Sequence, residues 1–263
     1  MRKHLLNLIS VVSLLLFSAP NYAQAPPLGT AADFVLFSSV GAVTNVGTYQ
    51  YLTNLTGNVG TNSGSSTNFG NVNGVMHDGD GASNTSASDL LLAYNFLASA
   101  KPDSTIVNPA LGNDSTFKAG TYLMPGAVSL SSGLTLDAQG NSNAVFIFKM
   151  PAAPPVYAFS TSVGAKIHLI NGAKACNVFW FITGAVNMAA ETTMRGTIIS
   201  GGAISMSAGD TLEGRALTIN GSVIVNNGDI GILAYTPIGC GSPVLNGPAA
   251  PTFVETAPYA VFS

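Results

Sequence analysis

Residues 184–227 read GAVNMAAETTMRGTIISGGAISMSAGDTLEGRALTINGSVIVNN, and the fold follows from how this stretch repeats. Gly184, Gly202 and Gly221 each open a unit, at spacings of 18 and 19 residues. Met188 returns as Met206, Thr193 as Thr211 and Gly196 as Gly214. A period of this length, with strand-type alternation inside it, marks supersecondary units that stack on their neighbours. Each unit holds three short strand-like pieces separated by Gly or Asn, which suits one coil of a three-sided β-solenoid.

Alternation sorts the side chains into two sets, because successive residues of a strand point to opposite faces. Val186 and Met188 oppose Ala185, Asn187 and Ala189; Ile204 and Met206 oppose Ala203, Ser205 and Ser207. Val223 and Val225 oppose Ser222, Ile224 and Asn226, and an earlier copy sets Val128 and Leu130 against Ala127, Ser129 and Ser131. In a further copy Phe159 turns inward, with Ala158 and Ser160 outward. The apolar set faces the core. The other set builds a flat outer face of Ala, Ser and Asn without charge, where a solvated face would carry Lys, Glu or Asp.

The rest of the chain fits an exported, β-rich protein. Its 263 residues are 8% charged, with mean hydropathy +0.38 and 29 glycines. Val, Ile, Leu and Phe recur throughout, which excludes disorder. Arg2 and Lys3 precede an apolar run from Leu5 to Phe17 and then Ala19-Pro20-Asn21-Tyr22-Ala23. This is a secretory signal peptide over 1–23, too short for a membrane span. Without it the chain carries 7 basic against 12 acidic residues, a net charge of −5. That balance excludes nucleic acid as a partner. It also argues against anionic membrane surfaces, and no other run is long enough to insert. Export permits a disulfide between Cys176 and Cys240; the alternative is a buried free thiol at Cys176.

Residues 24–32 form a leader, and 33–235 hold the solenoid domain. FVLFSS, AVTNVG and LTGNVGT from Asp33 to Thr61 supply two or three strands, and Thr61 to Asn73 a loop or cap. A helix is expected over about 82–101, with Asp78, Asp80 and Ser83 as N-cap candidates and Pro102 as its stop. Leu90, Tyr94 and Leu97, filled out by Ala93, Phe96 and Ala100, form its apolar stripe, which Leu91 and Leu92 widen. Its docking surface is the pair of continuous apolar runs Ala144–Phe148 and Val178–Ile182, buried on both faces. Residues 236–263 are a Pro-rich linker. Its ending PYAVFS is like DFVLFS at Asp33 to Ser38, as at the start or remnant of a second domain copy; chance is the alternative.

Catalytic patterns are missing from the sequence: there is no nucleophile elbow, CxxC, Walker loop or recognisable carboxylate pair. His77, Asp78 and Asp80 match no strong metal-ligand spacing, and helix capping suits them better. His168 reads as a strand surface residue. Glu191, Asp210, Glu213 and Arg195 scatter along turns and edges.

LTGNVGT, VNGVMHDGDGASNTSASDLLLAYN, LTLDAQGNSNAVFIF, INGAKACNVFW and TLEGRAL, in this order, strongly resemble the large ice-binding protein family of bacteria, fungi and microalgae. The resemblance runs from about Asp33 to Ile232 and implies a right-handed, discontinuous three-sided β-solenoid with one long α-helix alongside. It implies that the partner is the ice crystal surface; with the signal peptide, the expectation is a secreted monomer, without metal or cofactor. The flat face then supplies Ser129, Ser131, Ser160, Ala185, Asn187, Ala189, Ala203, Ser205, Ser207 and Ser222. Active relatives often carry Thr-Gly-x-Thr after the face strand. Thr192, Thr193 and Thr211 stand at the corresponding places here, so they join the set, but Glu191 and Asp210 bring charge to its edge. That departure predicts weak freezing-point depression with recrystallisation inhibition retained. The competing reading is a cell-surface adhesion or carbohydrate-binding solenoid, which exposed aromatics on the face would favour.

Overall fold

The computed structural model describes residues 23–238; residues 1–22 of the signal peptide, Cys240 and the PYAVFS ending lie outside the described residues. Strands form two parallel sheets, one of 15 strands wrapping two sides of the molecule and one of 8 forming the third. Two long strands, Thr193–Ser200 and Thr211–Thr218, pass from one side to the next within the larger sheet. Gly196 and Gly214 make those corners: Gly196 has φ +105°, and a Cβ on Gly214 would meet the Gly196 carbonyl oxygen at 1.9 Å. Only glycine tolerates such an approach, which is why this pair repeats in the sequence.

Chain order and stacking order differ. Coils climb from residues 104–118 to 211–235, and the next strands in the stack are N-terminal. Phe34–Ser38 pairs with Thr211–Thr218, Val43–Asn45 with Val223–Val225, and Thr53–Thr56 with Ile232–Tyr235. Ser66–Thr67, Asn71–Asn73 and Met76–Asp78 add one further coil. The stretch expected as a loop from Thr61 to Asn73 is therefore part of the stack, although Phe69 packs against the core as a cap would.

The helix Gly81–Ser99 links the two ends of the stack. Asp80 caps it: its carboxylate accepts from Ser83 N at 2.8 Å, and Ser83 Oγ accepts from Asp80 N at 2.9 Å. His77 Nδ1 lies 2.6 Å from the other Asp80 oxygen. At the far end Lys149 Nζ donates to the Ala98 and Ala100 carbonyls at 2.8 and 2.7 Å. Ser83, Ser86, Leu90, Ala93 and Leu97 are buried. Leu90, Ala93 and Leu97 pack on Val145, Ile147, Phe179, Phe181, Ile199 and Leu217, so the runs read as doubly buried strands do receive the helix. Leu91 and Leu92 do not join them; they are 49% and 61% exposed. The buried stripe follows the i, i+3, i+7 positions, and these two residues lie outside it.

The leader is docked. Thr30 N and Oγ1 donate to the Asp89 carboxylate at 2.7 and 2.8 Å, and buried Arg215 donates from Nε to the Ala32 carbonyl at 2.7 Å. Inside the solenoid, Tyr122, Phe148 and Trp180 stack face to face at centroid distances of 5.3 and 4.5 Å. Trp180 Nε1 donates to the Arg195 carbonyl, so its one polar atom is satisfied. Cys176 is disulfide-bonded and not a free thiol.

Candidate functional site

Among the described residues no helix covers the 8-stranded sheet, which is the flat side. Its strands stack as Ala110–Leu111, Val128–Leu130, Phe159–Thr161, Val186–Asn187, Ile204–Met206, Val223–Val225, Val43–Asn45 and Ser66–Thr67. Seven steps of about 4.8 Å make a face about 34 Å long. The central outward row is Ala110, Ser129, Ser160, Asn187, Ser205, Ile224, Thr44 and Thr67 in unbroken register. One flanking row holds Ala127, Ala158, Ala185, Ala203, Ser222, Ala42 and Ser65; ladder bonds such as Val186 N to the Ala203 carbonyl align it. The other holds Ser131, Ser162, Ala189, Ser207 and Asn226. These rows carry no charged and no aromatic side chain.

Both long edges of this face are fastened from inside. On the helix side Ser200, Thr218, Ser38 and Thr61 stack in register, each fully buried. Their hydroxyls donate to the carbonyls of Gly184, Gly202, Gly221 and Gly41 at 2.7, 2.7, 2.6 and 2.6 Å. The glycines that open each unit thus lie against a neighbouring coil; a Cβ on Gly202 would meet the Gly184 carbonyl carbon at 2.8 Å. On the opposite edge Thr161 Oγ1 and Thr192 Oγ1 share a hydrogen bond of 2.7 Å, and Ala189 N donates to Thr161 Oγ1 at 2.8 Å. Asp210 accepts from Ser207 N at 2.7 Å and from Thr192 N at 2.9 Å. Further along, Asn45 and Asn227 both donate to Thr53 Oγ1. Even the outward hydroxyls of Ser131 and Ser207 are tied down, donating to the Leu111 and Met188 carbonyls at 3.0 and 2.7 Å. Each such bond contributes about 1 kcal/mol net, and their number makes the side rigid.

Ten of the expected residues lie together on this side: Ser129, Ser131, Ser160, Ala185, Asn187, Ala189, Ala203, Ser205, Ser207 and Ser222. Three do not. Thr192 is 0% exposed and bonded inward to the Ala189 carbonyl, so it cannot meet a ligand surface. Thr193 and Thr211 have turned the corner and belong to a side of the 15-stranded sheet, paired with each other and with Lys166 and Leu233. That side is charged: Arg195 Nη1 lies 2.9 Å from Glu213 Oε2, and Lys166 and His168 project from the next strand. Asp210 is corrected as well. It brings no charge to the surface, being 1% exposed beneath the turn, whereas Glu191 is exposed.

The sequence reading missed Thr44, Thr67, Ala42 and Ser65, because the N-terminal strands lie beside 223–225 only in space. It also passed over Ala110 and Ser162. A usable signal existed: Ser or Thr two or three residues before a unit-opening glycine, as in Ser200–Gly202, Thr218–Gly221 and Ser38–Gly41, marks a coil entering the flat side.

A rigid, uncharged face with one strand repeat along its length belongs to solenoids that recognise an extended, regular surface. This chain belongs to the ice-binding-like family, whose model matches residues 37–231. The crystal structure of an ice-binding protein from an Antarctic Flavobacteriaceae bacterium superposes with TM-score 0.77 at 49% identity, covering 87% of this chain. The chain spans 51% of that protein's length. An ice-binding protein from an Antarctic biological consortium gives TM-score 0.71 at 30% identity, over 82% of this chain and 93% of that one. The ice-binding protein of Nostoc sp. (strain HG1) is 31% identical over 81% of this chain and 77% of its own.

Proposed function

We propose that this chain is exported, adsorbs to ice as a monomer through its 8-stranded side, and thereby inhibits ice growth and recrystallisation. The observation that carries the reading is the eight-strand register from Ala110 to Thr67, with three outward rows free of charge. Rungs repeating at about 4.8 Å lie close to repeats of the ice lattice. Small side chains let an ordered water layer follow the face and merge with the crystal, and a charge would bind water in a competing geometry. Each contact is weak, so adsorption needs many contacts in register on a face that does not deform. The fastened edges supply that rigidity. Adsorbed molecules force the ice front to grow curved between them, which is unfavourable, and no catalytic step is required.

A carbohydrate-binding role lacks its usual platform, since these rows hold no aromatic ring to stack on a sugar. Among the described residues no helix is long and apolar enough to cross a membrane.

Recrystallisation inhibition by residues 24–240, beside a heat-denatured sample, tests the function. Ser205→Tyr tests the face, because a ring in the central row lifts the surface off the crystal. The expected result is small crystals persisting with the native protein and coarsening with Ser205→Tyr. Full activity in that variant would remove the face assignment and leave the fold untouched.

A further inference from the structure

The buried groups that fasten the two edges are hydroxyls and amides, with one exception. Asp210 is the single ionisable side chain among them. It stacks on Thr192 in the coil below, through the pairing of Thr193 with Thr211. Its two oxygens accept from two different coils: Oδ2 from Ser207 N, at the end of a face strand, and Oδ1 from Thr192 N. Its own N–H returns to the Ser207 carbonyl at 3.1 Å and closes the turn. Ser207 in turn donates its hydroxyl to the Met188 carbonyl. One carboxylate therefore holds the outer row at Ser207 against the coil that carries Ala189.

We propose that Asp210 is a positioning residue for the outer row of the flat face, and that its ionised form is the one that holds the row in place. This rests on the reading of that side as the ice-binding surface. A carboxylate can accept from both N–H groups at once. A carboxylic acid carries a proton on one oxygen, and that hydroxyl oxygen is a much poorer acceptor for the N–H it faces. Protonation therefore releases either the Ser207 or the Thr192 end. The charges on neighbouring coils are the exposed Glu191 below, the exposed Asp229 above, and the Arg195–Glu213 pair on the strands leaving the corner. None of them is a cause of the shift in Asp210. Burial pushes its carboxyl up to about 7, opposed by the two backbone N–H donors.

Stability and activity consequently respond to pH in opposite directions. A folded-state pKa raised from 3.8 means that the folded protein binds the proton more tightly than the unfolded chain does. Asp210's contribution to stability is then fully present below pH 3.8 and is lost as pH rises through about 7. The hydrogen-bonding of the outer row follows the reverse course. A side chain with only a structural role would move both quantities together.

The test compares recrystallisation inhibition and thermal midpoint at about pH 5.5 and about pH 8.5, which bracket the titration. Native protein, Asp210→Thr, Glu191→Gln and Ser205→Tyr are measured side by side. Threonine is what the coil below carries at this place, so Asp210→Thr puts a hydroxyl in place of the carboxylate and removes the titration. The expected result is native activity about fivefold weaker at the lower pH, the effect of one hydrogen bond, without a lower midpoint. Glu191→Gln follows the native profile, and Asp210→Thr is weak and flat. Equal native activity at both pH values, or a native-like drop retained in Asp210→Thr, overturns the proposal. If Asp210→Thr does not fold, the native activity and midpoint decide: both falling together at low pH also overturns it. If Ser205→Tyr is fully active, the face reading itself fails; if it is inactive while the native protein ignores pH, only the role of Asp210 fails.

Discussion

Ser200 donates its fully buried hydroxyl to the Gly184 carbonyl oxygen, 2.7 Å away in the adjoining coil. The bond crosses from the helix-covered side to the start of the flat side, and Thr218, Ser38 and Thr61 repeat it up the stack. Ser200→Ala leaves the Gly184 carbonyl without this donor. We expect a loss of about 1–3 kcal/mol, read as a lower midpoint in thermal or urea unfolding. Ser200→Thr, which keeps the hydroxyl and matches its neighbours Thr218 and Thr61, should restore most of it.

Gly202→Ala probes the same edge from outside. The new methyl meets backbone atoms at 2.8 Å, and backbone cannot rotate away as a side-chain tip can. The coil must shift, which costs about 1–3 kcal/mol. Recrystallisation inhibition should fall well beyond what the change in stability explains, with the circular dichroism spectrum retained.

Thr193→Tyr and Thr211→Tyr separate the sides of the solenoid. Both residues lie in the charged side beyond the corner. The proposed surface does not include them, so ice activity should stay within about twofold of native, and stability within about 0.5 kcal/mol, as for ordinary surface changes. Loss of activity comparable to that of Ser205→Tyr would move the binding surface to the charged side.

The two ends of the helix make separate predictions. Asp80→Ala removes the N-cap and should cost about 1 kcal/mol, whereas Asp80→Asn keeps an acceptor for Ser83 N and should cost less. The Ser83 N–H bond, followed by the His77 contact, holds the Asp80 carboxyl below its usual 3.8. A lowered folded pKa gives stability that is present above pH 3.8 and disappears as acid titrates the folded carboxyl. The native protein should therefore keep this cap through mild acid. At the other end Lys149→Met removes both donors to Ala98 and Ala100. Amide exchange should quicken in the last helical turn before it does at Leu90.

Much of this architecture was legible because the repeat is written in residue types with one physical use each. The alternation of Val186, Ile204 and Val223 with Ala185, Ala203 and Ser222 gave the flat side and its orientation. Leu90, Ala93 and Leu97 gave the buried stripe of the helix. What alternation does not reveal is where a strand turns its corner. Thr192 and Thr193 look equivalent in sequence, yet one is wholly internal and the other lies on a different side. The same ambiguity misplaced Asp210: an acidic residue beside Gly209 reads as exposed turn chemistry until two backbone donors are seen to converge on it. Leu91 and Leu92 misled for the opposite reason, since hydrophobicity alone does not decide burial on a helix whose stripe is already filled by Leu90 and Leu97.

The position of Val43–Asn45 on top of Val223–Val225 also orders the events of synthesis. Residues 34–78 emerge first, but the coil on which they rest is completed only at Tyr235. Until then two open sheet ends wait, one at the top of the growing stack and one beneath the early strands, and each is a template for pairing with the wrong chain. The seam is made of contacts nearly two hundred residues apart, the kind that form slowly. A chain cut short near Asp210 would not be a shorter version of this protein. It would be two unmatched halves, with Thr44 and Thr67 stranded from the row they complete.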